Sequence, residues 1–210
     1  MEKAPINLTN MLLFSITPLL AIILVPLYGY LDGYDLYEWL VFLGMMLFCG
    51  LSITAGYHRM WSHKAYKGHP FLRLTFALGG ACALQNDVMH WASDHRRHHR
   101  HVDQNELDPY SAGRGFWFSH IGWILRHYDS GKEDFSNIKD IQQDKVALWQ
   151  HQHYLILVLL TNIALPAFLG FLHGDIIACL LLGGLLRLVI SQHVTYLINS
   201  VAHMWGKQTY

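Results

Sequence analysis

Three histidines stand within five residues of one another in the run DHRRHH, at His95, His98 and His99. On a helix, positions i, i+3 and i+4 share one face, so these three imidazoles would project together. Imidazoles that close repel one another when protonated, and they make most sense as neutral nitrogen ligands of metal. A solvated basic surface is the alternative, because three arginines flank the histidines and would repel a bare cation unless they point elsewhere.

Two further pairs of polar residues have spacings that bear on the same chemistry. His58 and His63 are five residues apart, which puts their side chains about 140° apart on a regular helix. Both can reach one metal ion only if the helix ends or distorts there; otherwise they are structural histidines. Asn199 and His203 are four residues apart and share a helix face. Plain hydrogen bonding between helices is the alternative for that pair.

The elements that must position these residues are apolar. Apolar types make up 52% of the chain and charged types 14%, against about 25% charged in soluble domains. Lys and Arg number 15, as do Asp and Glu, so the net charge gives no sign of nucleic-acid binding. Helices of about 20 apolar residues cross a bilayer. The sequence predicts four such spans, at about residues 11–31, 39–57, 154–172 and 176–197. The apolar stretch 74–86 is too short to span and predicts a buried or interfacial segment.

The distribution of basic residues predicts the orientation of these spans. The section 58–153 holds 12 of the 15 Lys and Arg residues, and the turns inside the two predicted hairpins hold none. The positive-inside rule places this section, and with it both termini, in the cytoplasm. We therefore expect an all-α integral membrane protein, a single domain over residues 1–210, in which two helical hairpins flank a cytoplasmic helical section.

This topology places six histidines on one side of the membrane: His58, His63, His95, His98, His99 and His203. Six imidazoles exceed the four ligands of a tetrahedral zinc ion. They suit two iron ions of higher coordination number, or another borderline metal that prefers nitrogen. His90 and His120 are candidates for supporting the ligands through hydrogen bonds. His193 lies inside the fourth span, where we expect it to need a hydrogen-bond partner or a wet cavity rather than to bind metal.

The sequence around these histidines resembles the membrane-bound acyl-CoA desaturases of the stearoyl-CoA Δ9 type. The stretches that carry the resemblance are GYHRMWSHKAYK at 56–67, QNDVMHWASDHRRHH at 85–99, RGFWFSHIGW at 114–123 and NSVAHMWG at 199–206. The resemblance implies a di-iron enzyme that uses O₂ to place a cis double bond in a saturated acyl chain. It also implies the metal ligands, which would be His58, His63, His95, His98, His99 and His203, with Asn199 reaching one iron through water.

The same resemblance implies that polar groups near the second histidine run bind the acyl carrier. Asn86 and Asp94 match the family pattern, and Arg126 lies one residue from an expected basic position. Two positions depart from it, since Ser93 stands where arginine is common and Tyr196 where animal members have tryptophan. We expect acyl-CoA as the substrate, with an acyl chain esterified in a lipid as the alternative.

Electrons for this chemistry have to come from a partner. The sequence contains no G-x-G-x-x-G, no C-x-x-C-H and no iron–sulfur cysteine set. We expect a cytochrome b5-like or ferredoxin-like electron donor that docks on the basic cytoplasmic section. The membrane would be the endoplasmic reticulum or a bacterial inner membrane, depending on the source.

The family pattern also includes an H-x-x-H-H run downstream of NSxAHxxG, and the sequence stops at Tyr210 without one. We therefore expect a C-terminally truncated chain that is inactive on its own. A membrane di-iron hydroxylase is the alternative within the same chemistry. A divalent-metal transporter is an alternative from another class, disfavoured because transporters hold their ligands near the bilayer midplane, whereas these histidines fall at the cytoplasmic ends of the spans.

Overall fold

The computed structural model describes residues 4–206, which form a helical protein. In chain order its helices are α1 (Leu8–Leu31), α2 (Leu36–Ser62), α3 (Pro70–Ala83), α4 (Val88–Arg100), α5 (Lys139–Gln142), α6 (Lys145–His173) and α7 (Ile176–Met204). Four of them, α1, α2, α6 and α7, are long and apolar enough to cross a membrane. The predicted all-α fold class with four membrane helices is confirmed. The two chain ends, whose cytoplasmic location was predicted, extend beyond the described residues.

The long helices extend past the predicted apolar spans. Helix α2 continues to Ser62, beyond the predicted end at residue 57, and α6 begins at Lys145, nine residues before its predicted start. The start of α6 is fixed by Asp144, whose side chain accepts hydrogen bonds from the first free backbone N–H groups of the helix. Asp35 and Glu38 form a reciprocal capping box at the start of α2. Polar caps, and not the end of the apolar stretch, therefore decide where these helices begin.

The turns of the two hairpins lie side by side at one end of the protein. The Tyr28 hydroxyl donates a 2.7 Å hydrogen bond to Asp175. His173 lies 2.9 Å from the carboxylate of Asp35 through its Nε2 atom, and its ring stacks on Tyr37 with centroids 4.2 Å apart. These contacts join α1 and α2 to α6 and α7 at the end opposite the histidine-rich section.

Arg187 is the buried charge of the fourth membrane helix, and it ties α7 to its neighbours. Its guanidinium is fully buried and donates to the carbonyl of Cys82 at 2.6 Å and to the side-chain oxygen of Asn162 at 2.8 Å. A third bond goes to the carbonyl of Gly183 in its own helix. Ionisable groups inside a membrane need such partners, so this network fixes α7 against α3 and α6.

The short helix α3 packs closely against α2. The segment was expected to be buried or interfacial, and residues along its C-terminal half are indeed buried. A methyl group added at Gly80 would overlap the phenol ring of Tyr57, which is itself fully buried. The absence of a side chain at Gly80 therefore allows the two helices to approach.

We predict that Gly80→Ala lowers the free energy of unfolding by about 1–3 kcal/mol, because the added methyl group overpacks the contact with Tyr57. Gly44 in α2 is the matched control, since a methyl group there meets no atom within 4 Å. Gly44→Ala should be neutral or stabilising by about 0.5–1 kcal/mol, because alanine is the better helix former. Thermal unfolding in detergent measures both variants, and equal midpoints would contradict the close packing.

Candidate metal centre

The end of α2 has a geometry that brings His58 and His63 together although they are five residues apart. From Ser52 to Ser62 the helix is widened to i→i+5 hydrogen bonding, and the backbone N–H of His63 donates to the carbonyl of His58 at 3.0 Å. Such wide turns are frequently found at functional sites, although Leu160–Ala164 and Leu180–Leu186 within the membrane helices are also widened. Residues five apart then stand above one another, so the two rings meet, as the sequence required if both were to reach one metal.

Four histidines from two helices converge in the part of the chain that the structure describes. Nε2 of His63 lies 3.1 Å from Nε2 of His58 and 3.0 Å from Nε2 of His95. The ring of His99 is 4.6 Å from that of His63. One ring nitrogen from each residue lies within 4.8 Å of the other three. This four-histidine group, His58, His63, His95 and His99, is able to hold a metal ion.

Electrostatics favour the neutral imidazole at His95 and His99. Burial, followed by the charges of the neighbouring imidazoles, lowers the pKa of His95 to about 2 and that of His99 to about 4. A neutral imidazole keeps a lone pair on one nitrogen, which is the form that binds metal.

The two remaining predicted ligands lie next to this group as a second unit, the His98–His203 pair. Their ring centroids are 5.0 Å apart, and the ring of His98 is 5.4 Å from that of His99. Each ring has a carboxylate at its Nδ1 atom, Asp108 at 2.8 Å from His98 and Asp103 at 3.3 Å from His203. Metal-bound histidines commonly have such a carboxylate behind them, which leaves Nε2 free for the ion.

Sequence reasoning missed the groups that support these rings. Asp103 and Asp108 lie in the irregular segment after α4, at no recognisable spacing from the histidines they contact. Tyr110 from the same segment places its hydroxyl 3.3 Å from Nδ1 of His95, and Trp91 stacks on His95 with centroids 4.7 Å apart. Trp91 precedes His95 by one helical turn, so its position on the same face was the one signal available.

A cavity of about 620 Å³ lies against the four-histidine group. His58 and His95 line it, as does Asn199, which lies one turn before His203 on α7. Apolar and small residues of α1 and α2 line another part, among them Leu13, Phe14, Met46, Cys49, Gly50 and Ile53. The cavity therefore has an apolar wall and a wall of potential metal ligands.

Three of the four predicted substrate residues line this cavity. They are Asn86, Asp94 and Tyr196, and the last of these is almost fully buried. Burial raises the pKa of Asp94 to about 6, an effect that Arg97 opposes. Arg126 is not among the lining residues. Its guanidinium donates to the carbonyl of Ala4 at 2.6 Å, because the extended N-terminal residues pair with residues 125–127.

Three hydrogen-bond donors in the cavity lining are unpaired. They are Nε1 of Trp123 and the hydroxyl groups of Tyr154 and Tyr196, all buried and without a partner among the described residues. A buried donor without an acceptor costs about 1–3 kcal/mol. Such donors suit a polar group of a bound molecule.

The other histidines considered as supports have different partners. His120 lies 3.0 Å from His193 and 3.2 Å from the hydroxyl of Ser200. His193 thus has the hydrogen-bond partner that its place within a membrane helix requires. His90 contacts Asp87 and Glu133, and not a histidine of the four-histidine group.

The comparison with protein families identifies the chain. A family model described as fatty acid desaturase matches residues 37–210, which include both histidine groups and all of α2, α4 and α7 apart from the first residue of α2. The chain belongs to the fatty acid desaturase family. Its four apolar helices accordingly make it part of a membrane protein.

Curated relatives within the desaturase family are similar over most of this chain. Acyl-CoA desaturase 1 of Saccharomyces cerevisiae is 40% identical over 162 residues, which are 77% of this chain and 32% of the relative. Acyl-CoA desaturase of Cyprinus carpio is 40% identical over 82% of this chain and 54% of its own length. Stearoyl-CoA desaturase 4 of Mus musculus is 36% identical over 97% of this chain and 57% of its own. The chain thus spans between a third and somewhat more than half of the length of these relatives.

We predict that Asp108→Asn weakens metal binding by about 10–100-fold, because the amide cannot hold His98 in orientation as a carboxylate does. The measurement is metal content after dialysis against a chelator series, with protein purified in detergent. Asp129→Asn is the control, since that carboxylate is 90% exposed and pairs with Lys132. Equal retention of metal by both variants would show that Asp108 does not support a ligand.

Proposed function

We propose that this chain is the catalytic part of an O₂-dependent fatty acyl desaturase, which introduces a cis double bond, at position 9, into a saturated acyl chain. The observation that carries the proposal is the cavity, which joins an apolar wall directly to histidines able to hold metal. Along α2 its lining runs from Met46 to Arg59, a distance of at most about 20 Å, since the rise is 1.5 Å per residue in an α-helix and smaller in the widened part. That length suits an acyl chain lying beside the histidines.

The proposed cofactor is a pair of iron ions. The donor set supports it, because imidazoles from two adjacent groups suit borderline metals of high coordination number. The proposed ligands are His58, His63, His95, His98, His99 and His203, with Asn199 acting through a water molecule.

The chemistry divides between the cofactor and the protein. Bound iron would supply the activation of O₂ that an unactivated C–H bond needs, since such a bond has no acidic proton for a base to remove. The cavity binds the chain along its length and excludes water, so that one pair of methylene groups faces the histidines. Tyr110, Asp108 and Trp91 hold the ligand rings in place from behind.

We propose acyl-CoA as the substrate, in keeping with the names of the relatives. The unpaired donors of Tyr154, Tyr196 and Trp123 are suited to the carbonyl and amide groups of the carrier. Arg59 also lines the cavity and offers a positive charge. Ser93 stands at a position where the family pattern favours arginine, and a serine brings no charge there. Its hydroxyl is buried and hydrogen-bonded to Asp134 and Asn137.

We propose that the histidine groups face the cytoplasm and that the two hairpin turns face the opposite side. The support is the excess of Lys and Arg in residues 58–153, together with the contacts that hold both turns at the far end. Both chain ends would then be cytoplasmic.

The gene that contains this chain, expressed in cells lacking their own desaturase, provides the test. We predict a new unsaturated fatty acid with its double bond at position 9, and its loss in a His95→Ala variant because a ligand is removed. Mass spectrometry of cell lipids measures the product. His153→Ala is the control, since this ring is exposed and lies against the carbonyl and the indole ring of Trp149.

Purified protein separates the alternatives. Turnover of labelled stearoyl-CoA, with none of the same chain esterified in phospholipid, would support the proposed carrier, and the reverse result would identify an acyl-lipid desaturase. A product that retains an oxygen atom from O₂ would identify a hydroxylase. Absence of any product from both substrates, with protein expressed from the whole gene that contains this chain, would contradict the proposal.

The proposed electron donor is a small acidic protein of the cytochrome b5 or ferredoxin type. Exposed basic residues near the histidine groups, such as Lys64 and Lys67, support docking of an acidic partner on this side. We predict that donor-driven turnover falls about tenfold between low and high salt, because ions screen charges beyond about 10 Å at 0.1 M. Turnover with a small uncharged reductant should stay constant over the same series. Donor-driven turnover that is independent of salt would contradict this docking surface.

A further inference from the structure

A second set of metal-ligating side chains lies where α4 begins. Asp87 immediately precedes α4, His90 is in its first turn, and His151 comes from α6. One ligand atom from each lies within 4.8 Å of the other two. We call these residues the Asp87–His90–His151 triad. On a regular helix His90 is about 140° around the axis from His95, so the triad faces away from the four-histidine group.

The two carboxylate oxygens of Asp87 have different partners. Its Oδ1 atom caps the helix by accepting from the backbone N–H groups of Met89 at 2.8 Å and of His90 at 3.2 Å. Its Oδ2 atom lies 2.6 Å from Nδ1 of His90 and 3.1 Å from Nδ1 of His151. The carboxylate is almost fully buried, so one oxygen faces two imidazole nitrogens away from bulk water.

Two features of the triad go beyond helix capping. Nδ1 of His151 is buried and not aligned for a hydrogen bond, which leaves it without a partner among the described residues. Nε2 of His90, the nitrogen that points away from Asp87, lies 2.8 Å from the carboxylate of Glu133. A carboxylate on the far nitrogen is the arrangement that orients metal-bound histidines.

We propose that Asp87, His90 and His151 bind a divalent ion of the zinc type, with water completing a four-coordinate site. Two imidazoles and one carboxylate form a donor set that zinc accepts in proteins. The side chains of His90 and His151 are 26% and 33% exposed, which gives an ion access from solvent. Glu133 is the positioning residue for His90.

The ion would connect α4 to α6. Here the two helices are already joined by the backbone N–H of Val88, which donates to the side-chain oxygen of Gln150 at 2.9 Å. Helix α4 carries His95, His98 and His99 further along. A metal at its start would therefore stabilise the helix that presents these histidines.

The competing arrangement is a protonated His90 held between two carboxylates. Burial opposes that charge, but hydrogen bonds and the charges of Asp87 and Glu133 raise the pKa of His90 to about 9. Zinc would have to displace this proton, which passes to the buffer. Direct measurement of bound metal separates the two arrangements.

The experiment is zinc binding to the iron-loaded protein in detergent, measured by equilibrium dialysis and elemental analysis. We expect His151→Gln to bind one zinc ion per chain fewer than the parent, or to bind it at least about tenfold more weakly, with its iron content unchanged. His153→Gln is the matched control, because this histidine lies two residues further along α6 and outside the triad. Equal zinc binding by all three proteins would overturn the proposal.

If His151→Gln fails to fold, X-ray absorption of the zinc-loaded parent tests the proposed zinc site. We expect two imidazoles and two oxygen donors at about 2.0–2.2 Å. Four imidazoles around zinc would place the ion in the four-histidine group and overturn the proposal, as would failure of the parent to retain zinc.

Discussion

The crowding of uncharged imidazoles is the constraint on which the rest of the structure depends. Nε2 of His63 lies 3.0–3.1 Å from the Nε2 atoms of His58 and His95, a separation at which protonated rings would repel one another strongly. Shared protons or a metal ion can offset the repulsion between the nitrogen lone pairs of these imidazoles. A metal ion would do so by accepting a lone pair from each ring. The protein must nevertheless hold these rings together from separate helices, which a flexible scaffold could not do.

The helices are held by polar contacts that reach across the packing between α2 and α4. Arg96 donates to the carbonyls of Trp61 and Ser62 at the end of α2, and it pairs with Asp140. Arg96 therefore points away from the histidines, and Arg97 donates to the carbonyl of Ser130, as metal binding requires of these flanking arginines. On the other side of α2, the side-chain amide of Gln150 donates to the hydroxyl of Tyr57. The widened turn that carries His58 is thus fixed from two directions.

Local pattern was enough to predict much of this arrangement. The spacing of His95, His98 and His99 placed them on one helix face, and the length of the apolar stretches predicted four membrane helices. The residues that support the histidines could not be predicted from the sequence, because Asp103 and Asp108 approach them only through an irregular loop that folds back on α4. The i→i+5 turn at His58 could be predicted only as a condition for both histidines to reach one metal, since no residue type encodes it.

Helix α7 connects the apolar interior to the metal side, and this explains why a buried arginine is tolerated there. Arg187 is 16 residues before His203, about 24 Å along the helix axis. Because its guanidinium is bonded to α3 and α6, α7 cannot slide without breaking bonds in a medium that offers no water to replace them. A shift of one helical residue would move His203 by about 1.5 Å, enough to separate it from His98. The buried charge therefore sets the register of His203, a proposed ligand far from it.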